Sequence, residues 1–511
     1  MSANNVSQEI KTLDELVNIV QNLKSKGKTV VHCHGVFDLL HIGHIKHLRA
    51  AKEMGDILVV TLTPDKFVNK GPHRPAFTES LRAEAIAALD CVDYVAINKW
   101  PTAVETIQLL KPNFFVKGIV HGEDKRDHSD AINQEEEAIK AVGGNIIFTD
   151  EETYSASTLI NRFMDIFPPM VKAFLESFRE KYTSKEIIGY LQAIRPLKLL
   201  AIGEVIIDEY RFCTPLGKAS KEAVLVVRSL YNETYAGGIL AIANHISNFC
   251  DQVGLLSFIG GIDSYEEFIA EKLYKNVKTD FIRIPNIRTI VKCRFVEEYS
   301  VSKLFEIYIM ENRQLTSEYE DSFLEKLEEK LPDYDVVVVA DYGHGLFSER
   351  SIRLLCDKAR FLAINTQTNA GNLGFNTISK YSRADYISIA EPELRLECRD
   401  TNSDTKELML KIANKLSCDK MIITRGKYGT LSYDKKRGFF EIPVFSVRLV
   451  DRIGAGDALL SLTAPLAAMN VPMDIVGFIG NVVGAEACAI IGNKTFIEPS
   501  NLFRHIDSLM K

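Results

Sequence analysis

The sequence lacks the features that mark secreted, membrane-spanning and fibrous proteins. Its 511 residues contain no run of about 18 apolar residues, the length that spans a bilayer. Nine cysteines are scattered without a C-x-x-C pair, which excludes a compact disulfide framework. The first residues hold no basic stretch followed by an apolar core, so we expect a cytoplasmic protein that does not associate with membranes.

An excess of positive charge is also missing. Lys and Arg total 61 against 68 for Asp and Glu, a net charge of -7. Without an overall basic field we expect no nucleic-acid partner, and local groups must hold any anionic ligand. Hydrophobic residues at 46% and charged residues at 25% are typical of a folded globular protein. The length exceeds the ~250 to 300 residues at which single cores stop growing, so we expect more than one domain.

The first third alternates short apolar runs with stretches of helical periodicity. This alternation predicts an α/β fold whose parallel sheet is covered on both faces and binds ligands at the carboxyl ends of its strands. The predicted strands are 28–31 (ending at His34-Gly35), 56–62, 94–97, 114–116 and 145–148, and the predicted helices are 13–24, 79–89 and 103–110.

A second α/β run begins at residue 197, after a stretch rich in Lys and Glu that has helical periodicity. Val336–Ala340 is its plainest buried strand, and residues 289–310 contain β-rich stretches suited to a small antiparallel lid. We therefore predict a first domain over residues 1–165, a helical linker over 166–196 and a second domain over 197–511.

Histidines are concentrated at a predicted strand-to-helix junction, His34 to Lys46. Free N–H groups at a helix start suit a phosphate, and Gly43 allows the backbone to approach it closely. His41 and His44, three residues apart, face the same side of the first turn and could donate to one polyphosphate. A metal site on a regulatory protein is an alternative hypothesis, with Cys33 or Asp38 as a further ligand.

This segment closely resembles the signature of the cytidylyltransferase-like nucleotidyltransferases, in which a G-x-F-D stretch precedes H-x-G-H. The resemblance covers most of residues 28 to 162 and implies a Rossmann-like domain with His41, His44 and Lys46 as catalytic residues. Lys70 lies in a K-G-P-x-R-P loop like that of bifunctional ADP-heptose synthases. The nucleotide-binding residues that the resemblance implies are Gly35, Phe37, Asp38, Gly43, Lys70, Lys117, Gly118, Ser155, Ser157 and Thr158.

The reaction implied is attack by a phosphate monoester on the α-phosphorus of a nucleoside triphosphate, which releases pyrophosphate. Because the second pKa of a monoester is about 6, the nucleophile is already ionised and no catalytic base is required. Alignment, positive charge and Mg²⁺ are sufficient. The nucleotide stays open: the H-x-G-H-I-K segment favours CTP, as in glycerol phosphate cytidylyltransferases, whereas the K-G-P-x-R-P loop favours ATP.

A second motif, Gly454-Ala455-Gly456-Asp457, leads into an apolar helix. Glycines at a helix start expose N–H groups to an anion, and an adjacent aspartate can accept a proton from a hydroxyl group. A sugar hydroxyl is neutral at pH 7, so Asp457 would act as the base for attack on the γ-phosphate of ATP.

This motif resembles the D-T-x-G-A-G-D signature of the ribokinase-like (PfkB) sugar kinases, and the resemblance covers nearly all of residues 197–511. Asp341 to Gly345 resembles the D-Y-G-K-G turn of heptose kinases. The resemblance implies sugar-binding residues Asp208, Gly237, Gly238, Asn244 and Asp457. It also implies ATP- or anion-binding residues Glu393, Thr424, Gly426, Gly429, Gly454, Ala455 and Gly456.

Three positions depart from the family pattern. Arg452 replaces the threonine of the signature, Ala390 replaces the asparagine of an N-x-x-E motif, and Glu204 replaces an aspartate. In the family that asparagine and glutamate organise Mg²⁺, so the loss at 390 bears on metal binding. We expect Glu393 to hold the metal, with Glu391 as an alternative.

The two resemblances together predict a bifunctional enzyme like the ADP-heptose synthases with the domain order reversed. Such an enzyme uses nucleoside triphosphates and a sugar or sugar phosphate, and its products feed lipopolysaccharide, capsule or other surface glycans. The alternative is a monofunctional cytidylyltransferase whose kinase-like domain only binds or dimerises. Because lid strands of ribokinase-like proteins have exposed edges, we expect a homodimer.

Overall fold

The computed structural model describes residues 9–68, 74–118, 130–149, 167–311, 316–445 and 449–511. Lys70, Ser155, Ser157 and Thr158 lie outside these ranges. The chain divides into two compact units, one of residues 1–168 with 507–509 and 511, the other of residues 169–506 with 510. Within the described ranges, no helix combines the length and apolar character needed to cross a membrane.

The first unit is built on a five-stranded parallel sheet with the order β3-β2-β1-β4-β5. Its strands are β1 (Val30–Gly35), β2 (Ile57–Leu62), β3 (Tyr94–Ile97), β4 (Phe114–Gly118) and β5 (Asn145–Thr149). Its helices are α1 (Leu13–Ser25), α2 (Ile42–Lys52), α3 (Glu79–Ala87), α4 (Val104–Leu110) and α5 (Asp130–Ala141).

Burial on both faces explains the apolar character of the central strand β1. Its neighbouring residues Val30 and Val31 point to opposite faces and belong to two different core clusters, while β2 and β4 pair with its two edges. Val31 and Leu48 of α2 are wholly buried in one core cluster. The α/β fold predicted from the sequence is therefore confirmed, and β1 ends where the histidine motif begins.

The second unit contains a nine-stranded sheet with the order β10-β9-β6-β13-β14-β15-β16-β17-β18. Its strands are β6 (Lys198–Gly203), β9 (Gln252–Ile262), β10 (Val277–Arg288), β13 (Val336–Asp341), β14 (Leu362–Thr366), β15 (Tyr386–Ala390), β16 (Lys420–Thr424), β17 (Thr430–Asp434) and β18 (Gly438–Ile442). All neighbours are parallel except at the β16-β17-β18 edge. The central strands are apolar at nearly every position, as burial on both faces requires.

The helices of the second unit are α6 (Pro169–Arg179), α7 (Ser184–Ala193), α8 (Ile239–Ser247), α9 (Glu266–Lys272), α10 (Ser317–Lys330), α11 (Glu349–Lys358), α12 (Glu391–Cys398), α13 (Thr405–Lys415), α14 (Ala455–Ala468), α15 (Met473–Cys488) and, except for residues 507–509, α16 (Pro499–Met510). Helices α6 and α7 occupy the predicted linker. Phe178 of α6 stacks on Phe478 with ring centroids 4.6 Å apart, so α6 packs within the second unit.

A separate four-stranded sheet, β12-β11-β7-β8, forms the lid. Its strands are β7 (Val205–Lys218), β8 (Leu225–Gly238), β11 (Ile290–Glu297) and β12 (Ser302–Ile309). The sequence predicted the antiparallel β11–β12 pair but missed the long β7–β8 hairpin, and β11 also pairs with β7 in parallel. The outer half of the hairpin is exposed on both faces. Its sequence therefore lacks the regular alternation of apolar and polar residues that predicts a strand.

Candidate active sites

The histidine motif of the first unit forms a helix start at the carboxyl end of β1. His41 is the N-cap of α2, and its Nδ1 accepts a hydrogen bond of 3.1 Å from the backbone N–H of Gly43. The His41 and His44 rings stack with centroids 3.9 Å apart. Burial lowers the pKa of His41. The accepted bond places the proton of its neutral ring on Nε2, where it can be donated to an anion.

Phe37 explains the G-x-F part of the motif. Its ring packs edge-on against His44 with centroids 5.3 Å apart, and its φ of 47° is in the left-handed region. A Cβ at Gly35 would lie 3.1 Å from the Phe37 ring, so glycine gives the ring its space. Gly35 and Phe37 therefore support the orientation of His44.

Asp38 is buried and holds a neighbouring loop. It accepts a hydrogen bond of 3.0 Å from Nη1 of Arg74 and another from the backbone N–H of Ala76. The Asp38 and Arg74 side chains are 1% and 2% exposed. A buried pair of this kind fixes residues 74–76 beside the histidine motif.

The neighbouring strand β4 brings Lys117 and Gly118 to the same edge of the sheet, because Cys33 of β1 pairs with Val116. Lys117 forms an ion pair with the buried carboxylate of Glu135. A Cβ at Gly118 would lie 3.8 Å from Nδ1 of His47 on α2. Lys46 is exposed on the second turn of α2. Seven described residues of the predicted site thus lie at one edge of the sheet: Gly35, Phe37, His41, Gly43, His44, Lys117 and Gly118.

Beneath this edge, the sequence analysis included His34 in the histidine segment but missed the two threonines that contact it. His34 contacts Thr61 Oγ1 at 2.9 Å through Nδ1 and Thr63 Oγ1 at 3.2 Å through Nε2. Burial lowers the pKa of His34 to about 3, so the ring is neutral. Among the described residues, no group of three or more His, Cys, Asp or Glu side chains is arranged to hold a metal.

The second unit contains a cavity of about 680 Å³ between the large sheet and the lid. Ten predicted site residues line it: Asp208, Gly238, Glu393, Thr424, Gly426, Gly429, Gly454, Ala455, Gly456 and Asp457. Arg452, the departure from the family signature, also lines it. The structure therefore brings together residues from widely separated parts of the chain.

Asp457 is a buried carboxylate in the first turn of α14, after Gly454 in a left-handed conformation with φ of 83°. Its Oδ1 accepts hydrogen bonds from Tyr342 Oη at 3.0 Å and Gln367 Nε2 at 2.9 Å. Burial raises the pKa of Asp457 to about 7, and the charge of Asp208 adds to this effect. Among the described residues no hydrogen bond reaches Oδ2, so this oxygen is available to accept a proton.

Asp208 occupies the lid side of the cavity. It forms a buried ion pair with Arg294, and Asn493 Nδ2 donates to its Oδ2 at 3.3 Å. A Cβ at Gly237, the partner of Ile206 across the β7–β8 hairpin, would clash with this carboxylate. Gly237 therefore does not line the cavity but allows Asp208 its position.

Lys292 and Arg294 are cavity residues that the sequence analysis missed. Burial lowers the pKa of Lys292, whose ammonium lies 5.0 Å from the ring centroid of Tyr308. Arg294 also bonds Glu306 at 3.1 Å. Two cations two residues apart in an apolar strand face the same side, a signal that could have identified them.

A turn at the end of β13 holds Tyr342 against Asp457. Glu204 accepts hydrogen bonds from the backbone N–H groups of Tyr342 at 3.0 Å and His344 at 2.9 Å. Amide groups of Asn369 and Asn372 donate to the Tyr342 carbonyl at 2.7 and 3.1 Å. Burial, together with the charge of Asp341, raises the pKa of Glu204 to about 7.

The expected metal position has a distinct donor set. Glu393 accepts hydrogen bonds from the backbone N–H groups of Thr368 at 3.1 Å and Ala390 at 2.6 Å. On β14, the strand next to β15, Asn365 donates to the Ser388 carbonyl at 2.6 Å. The buried Oδ1 of Asn365 has no partner among the described residues. Asn365 and Glu393 line the same cavity.

Asn244 is placed away from these residues. It is wholly buried in α8, where its amide donates to the Lys272 carbonyl at 3.0 Å and accepts from the Tyr274 N–H at 3.0 Å. Its side chain joins α8 to the segment after α9 and is not part of the cavity lining.

Comparison with protein families gives one match for each unit. Residues 196–498, more than half of the chain, match the pfkB family carbohydrate kinase model, so the chain belongs to this family. Residues 32–163 match the cytidylyltransferase-like model. The two resemblances predicted from the motifs are thereby confirmed.

Curated relatives match the N-terminal part of the chain. "Bifunctional protein HldE" of Geobacter metallireducens is 47% identical over 112 residues, which are 22% of this chain and 23% of the relative. The protein of the same name from Syntrophotalea carbinolica is 34% identical over 160 residues, 31% of each chain. The chain thus spans between about a quarter and a third of the length of the curated relatives it matches.

Among solved structures, phosphofructokinase-2 from Escherichia coli in complex with potassium superposes with a TM-score of 0.50 at 14% identity. The alignment covers 62% of this chain and 100% of that chain. At this identity the likeness establishes the fold alone.

Proposed function

We propose that the chain is a bifunctional enzyme of nucleotide-activated sugar synthesis. The first unit transfers a nucleotidyl group from CTP or ATP to a sugar phosphate, and the second phosphorylates a sugar or sugar phosphate with ATP. The observation that carries the proposal is that each unit has its own site with the groups its reaction needs. Helix-start histidines serve the first reaction, and a buried carboxylate beside helix-start amides serves the second.

In the first unit the phosphate monoester attacks the α-phosphorus and pyrophosphate leaves. The nucleophile is already ionised near pH 7, so His41 and His44 act as hydrogen-bond donors to phosphate oxygens rather than as bases. The N-terminus of α2 adds its partial positive charge.

In the second unit the acceptor hydroxyl gives its proton to Oδ2 of Asp457 while its oxygen attacks the γ-phosphorus and ADP leaves. A pKa of about 7 suits a base that works near neutral pH. The helix-start amides at 454–456 bind the phosphate that is transferred.

We propose Mg²⁺ as the cofactor of the second unit, where it neutralises charge on the ATP phosphates when bound. Magnesium prefers oxygen ligands, and the unpartnered Oδ1 of Asn365 is such an oxygen in the cavity that Glu393 also lines. Asn365 thus supplies an amide oxygen near the position where Ala390 has none. Both Glu393 oxygens already accept backbone N–H groups, so Glu393 acts through its remaining lone pairs.

We also propose a homodimer that forms through the lid hairpin. Leu216, Leu225 and Tyr231 are 63%, 52% and 45% exposed on β7 and β8, an apolar surface at the edge of the lid sheet. Sedimentation of the L225E variant should give a smaller species than the wild-type protein, whereas L410E on α13 should not. An unchanged mass for L225E would contradict this interface.

A second candidate function is that of a monofunctional nucleotidyltransferase with a kinase-like binding domain. The alanine at 390 favours this alternative, because it removes an amide that the family uses for the metal. The two functions differ in whether ADP is formed.

The test uses the full-length protein with CTP or ATP, Mg²⁺ and a panel of sugars, sugar phosphates and glycerol 3-phosphate. Pyrophosphate and ADP are measured separately for the wild type and the H44A and D457N variants. We expect H44A to lose pyrophosphate release alone and D457N to lose ADP formation alone, by about 10² to 10⁴-fold for loss of a base. ATP binding without ADP formation would support the monofunctional alternative, and no consumption of either nucleotide would contradict both.

A further inference from the structure

The second unit has another cavity, of about 240 Å³, that shares no lining residue with the larger one. The two cavities lie on either side of the turn after β13: Tyr342 lines the large cavity, and His344 lines the small one. The same alternation occurs on β7, where Ile206 lines the large cavity and Val205 the small one. The small cavity therefore adjoins the catalytic turn without being part of the site described above.

His344 is the unsatisfied polar group of the small cavity. It is 9% exposed, and neither ring nitrogen has a hydrogen-bond partner among the described residues. Burial lowers the pKa of His344 to about 4, helped by the charge of Lys292, so the ring is neutral at pH 7. A neutral imidazole offers one donor and one acceptor.

The other buried polar side chains of this cavity are already satisfied. Both Glu204 oxygens accept backbone N–H groups, and Ser257 donates to the Gly203 carbonyl at 2.6 Å. Thr289 accepts from the Gly260 N–H and donates to the Ser264 carbonyl. Apolar side chains form much of the remaining wall, including Phe258, Ile284, Ile290 and Leu346, and its other charged residues, Arg288 and Glu311, are exposed to solvent.

These features define the chemistry of an occupant. A charged group of either sign would lose its hydration in this largely apolar cavity, where the Glu204 oxygens already accept two N–H groups and Lys292 is not part of the lining. An uncharged group with an apolar body avoids this cost. To satisfy both nitrogens of His344 the group must also carry a donor and an acceptor, as a secondary amide does.

We propose that the small cavity binds an uncharged, largely apolar group carrying one hydrogen-bond donor and one acceptor, such as an acylamido group, and that His344 recognises it. This inference rests on the kinase function proposed above. The group is either a substituent of the phosphoryl acceptor or part of a separate small molecule. Because Glu204 holds the N–H groups of both His344 and Tyr342, the occupant sits beside the turn that orients the donor to Asp457.

The binding test uses the full-length protein with ¹⁵N-labelled histidine rings and N-methylacetamide as the probe. We expect a saturable movement of one pair of ring signals, identified as His344 by its absence in the H344F variant. N,N-dimethylacetamide lacks the donor and should bind at least about ten-fold more weakly, because it leaves a buried ring nitrogen unpaired. The absence of a saturable change, or the same response in H344F, would overturn the site and leave the cavity to water.

The source of the group is decided by the kinetics of ADP formation in the presence of N-methylacetamide. Competition with the acceptor identifies the group as a substituent of the acceptor, and a changed kcat at saturating acceptor identifies a separate ligand. Binding without any kinetic effect would overturn the link to phosphoryl transfer. The binding test needs no turnover, so failure of this site and failure of the proposed kinase function are distinguishable.

Discussion

Gln367 donates a hydrogen bond from Nε2 to Oδ1 of Asp457 over 2.9 Å, and Tyr342 donates to the same oxygen. Both bonds stabilise the carboxylate and so lower a pKa that burial raises. Removing either donor should therefore raise the pKa of Asp457 above about 7.

The Q367M and Y342F variants test this relationship. A base works only when deprotonated, so the acid limb of the kcat/KM profile for ADP formation should move to higher pH in both variants. Y381F is the matched control, because Tyr381 donates to Asp341 at 2.7 Å and not to Asp457. An unchanged limb in Q367M and Y342F would mean that Asp457 is not the titrating base.

The close approach of Gly237 to Asp208 predicts a large loss of stability in G237A. The new Cβ would displace the Asp208 carboxylate from Arg294 and leave buried charges unpaired, which costs about 3–5 kcal/mol. In contrast, Gly189 in the middle of α7 has no atom within 4 Å of a built Cβ, so G189A should stabilise by about 0.5–1 kcal/mol. Calorimetric unfolding of both variants measures the difference, and equal effects would refute the predicted clash.

The buried pair of Asp38 and Arg74 predicts that R74M destabilises the first unit by about 3–5 kcal/mol, since Asp38 would keep an unpaired buried charge. The single tryptophan, Trp100, lies in this unit and reports its unfolding in urea by fluorescence. The exposed pair of Lys99 and Asp14 is the control, and K99M should change the midpoint little. A small effect of R74M would show that water reaches Asp38.

Buried histidines predict that the first unit loses stability in acid. Burial lowers the pKa of His47 to about 4, below the value near 6.5 in the unfolded chain. The unfolded state therefore binds an extra proton between about pH 6.5 and 4, and stability falls by up to about 1.4 kcal/mol per pH unit for each such histidine. The stability contributed by the neutral buried ring is fully present above about pH 6.5.

The H47Q variant should flatten this pH dependence, measured as urea unfolding by Trp100 fluorescence at a series of pH values. R49Q, an exposed change on the same helix, should keep the wild-type slope. Equal slopes in H47Q and the wild type would place the acid sensitivity elsewhere, such as at His34.

The sequence grouped those residues of the two candidate sites that are contiguous along the chain. His41, Gly43 and His44 lie within one turn, and Gly454 to Asp457 form one helix start, so their types and spacing were sufficient. Asn365 lies in β14 and Gln367 follows it directly. Strand pairing brings Gln367 to Asp457 and places Asn365 in the cavity that Glu393 also lines. Nothing local in the sequence distinguishes the two from polar residues outside the site.

Asn244 illustrates the opposite case. Tertiary packing directs its amide to the backbone of residues 272 and 274 instead of the cavity. The fold class was accessible because apolar periodicity is strong in the buried strands, whereas the exposed β7–β8 hairpin lacks that signal.

The first strand made in each unit lies inside its sheet, with partners that come later in the chain. β1 pairs with β4 later in its own unit. β6 pairs with β13, which begins only at Val336. On the ribosome the first unit can complete its sheet before most of the second has been synthesised. The apolar edge of β6 stays open through the synthesis of β7 to β12, which makes this interval the one in which the nascent chain most needs protection from aggregation.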